Sequence, residues 1–256
     1  MRRDAQVAIS YRLSLILELF FGLSDLLFYF FVSRTFHGVT GSGLGAAPTY
    51  FAFAVVGTSL GAVLGATSAS AGHRVREEQL TGTFEVFLAS PATSLELCIG
   101  VVGFPFAFAL LRAAVYIAIA SLVLNLDVSH VNWGGLLLIL LVTGASVAPI
   151  GILAGAAALV VKRGHILAST GVYVMTVLAG MAFPVSVLPR WLQWVSAAIP
   201  LRYAFDGARA AFFAGSGWSK DVFVLVATAV VLWPVALLAF NWALAISRRR
   251  ASLAEY

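Results

Sequence analysis

The sequence predicts an all-α integral membrane protein, on three observations. Of the 256 residues, 61% are hydrophobic and only 11% are charged, and the mean hydropathy is +0.97. A soluble domain is closer to roughly 45–50% apolar and about 25% charged, so a soluble fold of this length could not cover its core. The apolar residues also occur in long runs, without the alternation typical of β-barrel strands.

Six apolar segments have the length of transmembrane helices. A helix needs roughly 20 apolar residues to cross about 30 Å of hydrocarbon. The segments cover residues 13–32, 50–71, 97–123, 133–161, 166–183 and 222–246. No polar linker is long enough to hold a second domain, so we expect residues 1–256 to form one transmembrane domain.

The residues before the first span predict a short N-terminal helix in the inner membrane interface. Arg3, Gln6 and Ser10 form a polar stripe, with Ala5, Ala8 and Ile9 on the other face. Such a two-faced helix lies in the plane of the interface. An unstructured stub is the alternative.

The distribution of Lys and Arg predicts the orientation. With the N-terminus inside, ten of these residues lie on the inner side and five on the outer side, and Arg112 lies within a span. An excess of basic residues marks the cytoplasmic side, so we expect a multi-pass protein of the cell membrane with both termini in the cytoplasm. The longest basic run, residues 248–250, directly follows an apolar span. The net charge of +5 therefore indicates membrane sidedness, and we expect no nucleic-acid partner.

The inner loop between the second and third spans, residues 73–91, contains an amphipathic pattern. Phe84, Phe87 and Leu88 would share one face of a short helix, and Glu85 would point away from it. Two phenylalanines exposed to the cytoplasm suit either a groove on a protein partner or the lipid interface.

The outer segment before the last span predicts two short helices. Apolar residues recur at helical spacing from Trp191 to Pro200, and Arg202, Asp206 and Arg209 then share one face. Asp206 could pair with either arginine. Both helices are too short to span the bilayer, so we expect a pair of re-entrant or interfacial helices; alternatively, the Trp191/Trp194 pair is part of an aromatic belt.

Three ionisable residues fall inside predicted spans: Glu18, Asp25 and Arg112. Such residues are costly in the bilayer and usually face protein or water. Asp25 and Arg112 lie at similar depth and could form a structural pair, and a proton relay is the alternative. In span two, a glycine stripe of Gly57, Gly61 and Gly65 predicts close helix packing, within the chain or in a homodimer.

The chain lacks the residue patterns of catalytic or metal sites. Its two lysines, Lys162 and Lys220, do not follow a glycine, so a G-x-x-x-x-G-K-[ST] phosphate loop is absent. The four histidines are scattered, and Cys98 is the single cysteine, so no metal-ligand spacing forms. We expect no enzymatic activity, no cofactor and no metal in this chain.

The two polar segments resemble the ABC-2 type transporter permeases. Arg76-Glu77-Glu78, Gly82-Thr83-Phe84-Glu85 and Ala89-Ser90-Pro91 are similar to that family's E-R-E-x-G-T-L-E-x-L-L-x-x-P loop. The outer segment is similar to its F-P…L-P-x-W-L…P…Y…D…R signature, in Phe183-Pro184, Leu188 to Leu192, Pro200, Tyr203, Asp206 and Arg209. The sequence departs from the pattern at Phe84, where leucine is commoner, and at Glu78, which sits one place late.

The resemblance implies a permease that works with a separate ABC ATP-binding subunit, usually as two permeases and two ATPases. ATP and Mg²⁺ would bind the partner, and the second permease would be another copy or a homologue, in contact with membrane lipid. It implies export across a bacterial plasma membrane. The implied ATPase-coupling residues are Glu78, Gly82, Thr83, Phe84, Glu85, Phe87 and Leu88. The implied outer gate residues are Pro189, Trp191, Trp194, Arg202, Asp206 and Arg209.

Two other classes fit the composition. A secondary transporter would use Asp25 and Glu18 with a proton or sodium gradient and would need no ATPase. A membrane scaffold would transport nothing. Co-purification of an ATP-binding protein discriminates among the three classes.

Overall fold

The computed structural model describes residues 12–35, 44–81, 94–160 and 164–254, and every regular element in these ranges is helical. The all-α prediction is therefore confirmed for the described chain. The helices are α1 (Arg12–Thr35), α2 (Tyr50–Thr81), α3 (Ser94–Leu124), α4 (Trp133–Val160), α5 (Gly164–Leu178), α6 (Arg190–Ala198), α7 (Pro200–Arg209) and α8 (Ser219–Ala254). A 3-10 turn, Val185–Val187, precedes α6, and a π-helical turn, Ala210–Ala214, follows α7.

Among the described residues, three helices are long and apolar enough to cross a membrane. They contain the segments Gly103–Leu124, Trp133–Ala157 and Ser219–Ala243, in α3, α4 and α8. A shorter apolar stretch, Tyr50–Gly65, lies in α2. The other predicted spans overlap α1, α2 and α5, which are not among these three helices.

The helix α5 ends at Leu178, before the predicted end of that span at residue 183. Gly180 has a φ of +91°, which is left-handed backbone that favours glycine and ends a helix. The chain then turns, and this turn carries the carbonyl acceptors of the site described below.

Conversely, α2 extends further than predicted. Residues 73–81, expected in the inner loop, are helical and belong to the 32-residue α2. Arg, Glu, Gln and Leu dominate the end of this segment and are strong helix formers, and no proline interrupts them. The side chains of this stretch lie outside the described part.

The helices α2 and α4 form the centre of the structure. α2 packs against α3 and α4, and α4 also packs against α8. In the apolar stretch that is long enough to cross the membrane, 56% of the residues are buried in α4 but only 11% in α8. The helix α8 therefore lies at the periphery of the structure. Its exposed Phe223, Leu238 and Trp242 form an apolar surface suited to lipid.

Side-chain hydrogen bonds join α4 to α8. Ser146 Oγ donates to the Leu225 carbonyl at 2.6 Å, and Trp233 Nε1 donates to the Ala145 carbonyl at 2.9 Å. Pro149 lies inside α4 and has no N–H to donate four residues back, to Ala145. The Trp233 indole therefore supplies the donor that Pro149 removes from the helix.

Asn132 ties the start of α4 to the π-helical turn after α7. Its Oδ1 accepts from the Gly135 N–H at 2.9 Å, which caps α4, and its Nδ2 donates to the Gly215 carbonyl at 3.1 Å. Its backbone N–H donates to the Ala211 carbonyl at 2.9 Å. These bonds fix the C-terminal end of α7 against the core.

Candidate functional site

The outer segment contains two short helices, α6 and α7. Pro189 is the N-cap residue of α6, and Pro200 is the first residue of α7, where its missing N–H costs no hydrogen bond. One face of α7 is buried, with Leu201, Phe205 and Ala208 at 0–1% exposure. It packs against α4, α8 and α2. α7 is thus part of the core and not a surface loop.

Arg209, at the end of α7, is buried to 4% exposure. Its guanidinium donates to three backbone carbonyls: Gly180 at 2.8 Å, Met181 at 3.0 Å and Phe53 at 3.4 Å. Its central carbon also lies 3.4 Å from the centroid of the Phe53 ring, in a cation–π arrangement. Arg209 therefore joins α7, the N-terminal end of α2 and the turn after α5; we call this set of contacts the Arg209 anchor.

The charge of Arg209 persists at neutral pH. Burial lowers the pKa of Arg209 to about 9, and nearby Asp206 raises it in part. A guanidinium resists deprotonation in any protein, so a protonated side chain holds the three carbonyls.

The glycine stripe of α2 makes room for this anchor. A Cβ on Gly57 would overlap the Met181 carbonyl oxygen and lie 2.7 Å from Arg209 Nη2, and a Cβ on Gly61 would crowd the Met181 side chain. At Gly65 nothing lies within 4 Å. Gly57 and Gly61 therefore serve packing within the chain, against the turn after α5.

Asp206 forms an ion pair with Arg202, whereas Arg209 forms hydrogen bonds with backbone carbonyls. Arg202 Nε lies 3.4 Å from Asp206 Oδ2. Burial raises the pKa of Asp206, and Arg209 and Arg202 lower it in part. These three residues line a cavity of about 340 Å³, which residues 44–46 and the turn 184–186 also line. The three polar residues that we predicted on one face of α7 thus have two roles. Arg209 is a buried anchor, whereas Arg202 and Asp206 form a half-exposed ion pair.

The indoles of α6 point away from the core. Trp191 is 66% and Trp194 is 79% exposed. Gln193 fixes the start of the helix by donating to the Leu188 carbonyl at 2.8 Å. The exposure of both indoles is compatible with an aromatic belt and with a gate at a permease interface.

A second cavity, of about 280 Å³, lies between α1, α2 and α3; we call it the α1–α3 cavity. Asp25, Arg112, Thr58, Tyr116 and Phe21 line it, with Gly22 and Ala62. In the described structure Asp25 and Arg112 form no ion pair within 4 Å, so the predicted pair is replaced by a shared cavity. Arg112 Nη2 donates to the Ala62 carbonyl at 3.3 Å.

The predicted coupling residues fall outside the described part of the chain. This holds for Gly82, Thr83, Phe84, Glu85, Phe87 and Leu88, and for the N-terminal segment. Glu78 lies in α2 and Glu18 in α1, but their side chains are also outside the described part.

Sequence reasoning missed the residues that Arg209 contacts. Gly180 and Met181 contribute carbonyl oxygens, and Phe53 contributes a carbonyl and a ring. A backbone acceptor leaves no mark in a side-chain pattern. The usable signal was Gly57, because a glycine in a helix interior often indicates a close neighbour. Tyr116, in the α1–α3 cavity, carried no signal of its own.

The helices, the buried charges and the polar cavities define a polytopic α-helical membrane protein. Residues 75–213, more than half of the chain, match the ABC-2 type transporter family. The chain therefore belongs to the ABC-2 type transporter family and is a membrane permease. No significant match to a curated protein or to a solved structure was found.

Proposed function

We propose that this chain is the membrane-spanning subunit of an ATP-driven exporter, with six spans and both termini in the cytoplasm of a bacterial cell. The observation that carries the proposal is the family match over residues 75–213, which includes the inner polar loop and the outer helices. The excess of basic residues on the inner side supports the orientation.

The energy would come from a separate ATPase. The chain has no phosphate-binding loop, because neither Lys162 nor Lys220 follows a glycine. ATP and Mg²⁺ would bind two copies of the partner ATPase, and a second permease copy or homologue would complete the transporter. The segment 82–88 would dock in the ATPase, with Phe84 and Phe87 as its apolar anchors.

The helix α2 would carry the movement from the inner to the outer side. Its 32 residues correspond to about 48 Å at 1.5 Å per residue. Its inner end, Thr81, directly precedes the docking segment, and near its outer end the Phe53 carbonyl accepts from Arg209. Movement of the docking segment would thus reach α7 through one helix and one set of hydrogen bonds.

At the outer side, α6 and α7 would close the exit of the pathway between the two permeases. They are too short to span the bilayer, at nine and ten residues, and re-entrant or interfacial placement fits that length. Rocking from an inward-open to an outward-open form would move them with the Arg209 anchor.

Charge reversal at the docking segment tests the coupling. The permease is co-expressed with the ATP-binding protein that co-purifies with it, and substrate-stimulated ATP hydrolysis and export are measured in liposomes. Glu85→Lys and Phe84→Asp should abolish the stimulation and the export, while the permease stays folded. Asp127→Lys, a charge reversal on the exposed outer loop, is the matched control. Normal export by Glu85→Lys and Phe84→Asp would refute the coupling role.

The alternative is a gradient-driven transporter using Asp25 and Glu18. The position of Asp25 on the α1–α3 cavity favours it. It predicts transport by the permease alone under a proton or sodium gradient, with loss of transport in Asp25→Asn. ATP-dependent transport that is insensitive to those gradients would exclude it.

A further inference from the structure

We propose that the cavity beside α7 binds the carboxylate group of a small organic acid. This cavity, which we call the α7 cavity, is the one lined by Arg202, Asp206 and Arg209. The proposal goes beyond ATP-driven export and does not depend on it. It is carried by the buried charge of Arg209, by the guanidinium nitrogens that remain available to a ligand, and by the charged and apolar groups of the cavity wall.

Arg209 has a buried charge with no acidic group in contact. The residue is 4% exposed, and its guanidinium donates to the backbone carbonyls of Phe53, Gly180 and Met181. In the described part of the chain Arg209 forms no ion pair, although the charge of Asp206 acts on it from farther away. Buried charges in proteins are normally paired. An anionic ligand would supply the missing partner.

Nitrogens of both arginines remain available to such a ligand. The hydrogen bonds of Arg209 use Nε and Nη2, which leaves the N–H groups of Nη1. Among the described residues, Arg209 has no side-chain nitrogen that is both fully enclosed and without a partner, so Nη1 reaches open space. The α7 cavity is the open space that Arg209 lines. Arg202 contacts Asp206 through Nε, so its terminal nitrogens, Nη1 and Nη2, are available as well.

The charges of the cavity wall favour an anion with a single negative charge. Of the described residues that line the cavity, Arg202 and Arg209 are basic and Asp206 is acidic, which leaves one positive charge. Asp221 packs against Gly207 of α7 but does not line the cavity. A carboxylate balances this charge, and its oxygens match the planar fork of a guanidinium. A doubly charged phosphate group would leave excess negative charge next to Asp206.

The rest of the wall suits a small hydrophobic body. Leu44, Phe53, Pro184 and Val185 line the cavity together with the charged residues. Phe53 also covers one face of the Arg209 guanidinium, whose central carbon lies 3.4 Å from the centroid of the ring. A ligand would therefore contact the edge of the guanidinium, where Nη1 lies. The volume, about 340 Å³, is near the lower end of small-molecule sites, which indicates a small organic acid.

Binding of benzoate to the purified permease tests the site without the ATPase. Benzoate is titrated into the protein in uncharged detergent at about pH 8, and the heat of binding is measured against detergent alone. The comparison ligands carry the same ring: benzyl alcohol is neutral, benzylammonium is cationic, and phenyl phosphate is doubly charged at this pH. We expect saturable binding of benzoate to the wild type, tighter by about tenfold or more than that of each comparison ligand.

Two variants that break the same ion pair should change the affinity in opposite directions. Arg202→Gln removes a positive charge and should weaken benzoate binding by about tenfold. Asp206→Asn removes the negative charge from the cavity wall, so it should tighten benzoate binding and strengthen the binding of phenyl phosphate. Arg190→Gln, at an exposed arginine of α6 that does not line the cavity, is the matched control and should bind benzoate as the wild type does.

Three results would overturn the site. The first is no saturable binding of benzoate, or binding no tighter than that of benzyl alcohol. The second is tighter binding of phenyl phosphate than of benzoate by the wild type, which would identify a phosphate site. The third is a change of affinity in the same direction in Arg202→Gln and Asp206→Asn, because loss of the ion pair alone would then explain it.

The ligand series needs no variant, so a folding defect in Arg202→Gln or Asp206→Asn leaves the test intact. The outcome is also separable from the proposed function. Absence of benzoate binding with intact ATP-coupled export would refute the carboxylate site alone. Selective benzoate binding by a permease without ATP coupling would refute the proposed function and support the site.

Discussion

Arg209 links three parts of the fold at a single buried guanidinium, and its removal should be costly. In Arg209→Met the carbonyls of Phe53, Gly180 and Met181 lose their donor. Because buried acceptors without partners cost free energy, we expect a loss of about 2–4 kcal/mol in the free energy of unfolding. The thermal midpoint in detergent should fall accordingly.

A matched pair of variants separates the anchor from the loss of any arginine. Arg190→Met removes an exposed arginine at the start of α6 and should leave the thermal midpoint near that of wild type. Arg209→Lys keeps a charge and three donors but loses the planar fork, so its midpoint should fall between wild type and Arg209→Met. Equal midpoints for Arg209→Met and Arg190→Met would contradict the anchor.

The glycine stripe offers an internal comparison between two alanine substitutions. In Gly57→Ala the new methyl group would overlap the Met181 carbonyl, so α2 must move away from the turn after α5, at a cost of about 1–3 kcal/mol. Gly65→Ala meets nothing within 4 Å and should be neutral or slightly stabilising, because alanine is the better helix former. Thermal unfolding of both variants in detergent tests the contrast, and a larger loss in Gly65→Ala would show that the stripe packs elsewhere.

At the scale of the helices, the contact between α4 and α8 depends on Pro149 and Trp233, which together determine the hydrogen bonding of the Ala145 carbonyl. Pro149 leaves the Ala145 carbonyl without its helical donor, and Trp233 Nε1 takes that place at 2.9 Å. Trp233→Phe keeps most of the ring but removes the donor, and we expect it to lower the free energy of unfolding by about 1–2 kcal/mol.

A double-mutant cycle with Pro149→Ala tests the link. Alanine at 149 restores an N–H that can reach Ala145, so Trp233→Phe should cost clearly less in that background. Additive effects of the two substitutions on the thermal midpoint would show that Trp233 and Pro149 act independently.

The lengths of the helices show what a sequence pattern can and cannot predict. Long apolar runs gave the positions of α3 and α4, and the start of α8, to within a few residues, because bilayer crossing sets both length and composition. The helix α8 continues to Ala254, beyond the predicted end of its span at residue 246. The predicted end of α5 was wrong because the chain turns at Gly180, where the turn provides the carbonyls that Arg209 contacts. The end of α2 was wrong because a charged helix beyond the bilayer looks like a loop in a hydropathy profile.

The sequence predicted the residue types of the candidate site, but it did not predict which groups contact one another. The arginines and the aspartate of α7 were identified from their spacing. That Asp206 pairs with Arg202, while Arg209 donates to backbone carbonyls, follows from the burial of Arg209. Asp25 and Arg112 were placed at similar depth, yet they share a cavity without a direct ion pair. Hydrophobic patterns predict faces, whereas partners depend on tertiary packing.

At the scale of the whole molecule, the orientation can be tested with single cysteines, because Cys98 is the only native one. In a Cys98→Ser background, Ser129→Cys lies on the exposed loop between α3 and α4, and Ser186→Cys lies on the exposed turn before α6. Both should react with a membrane-impermeant maleimide in intact cells, since an excess of basic residues marks the cytoplasmic side and we therefore expect these loops outside. Ser252→Cys, near the C-terminus, should react only after permeabilisation. Labelling of Ser252→Cys in intact cells would show that the orientation is opposite to the predicted one. The proposed sides for ATPase docking and for closure by α6 and α7 would then also be wrong.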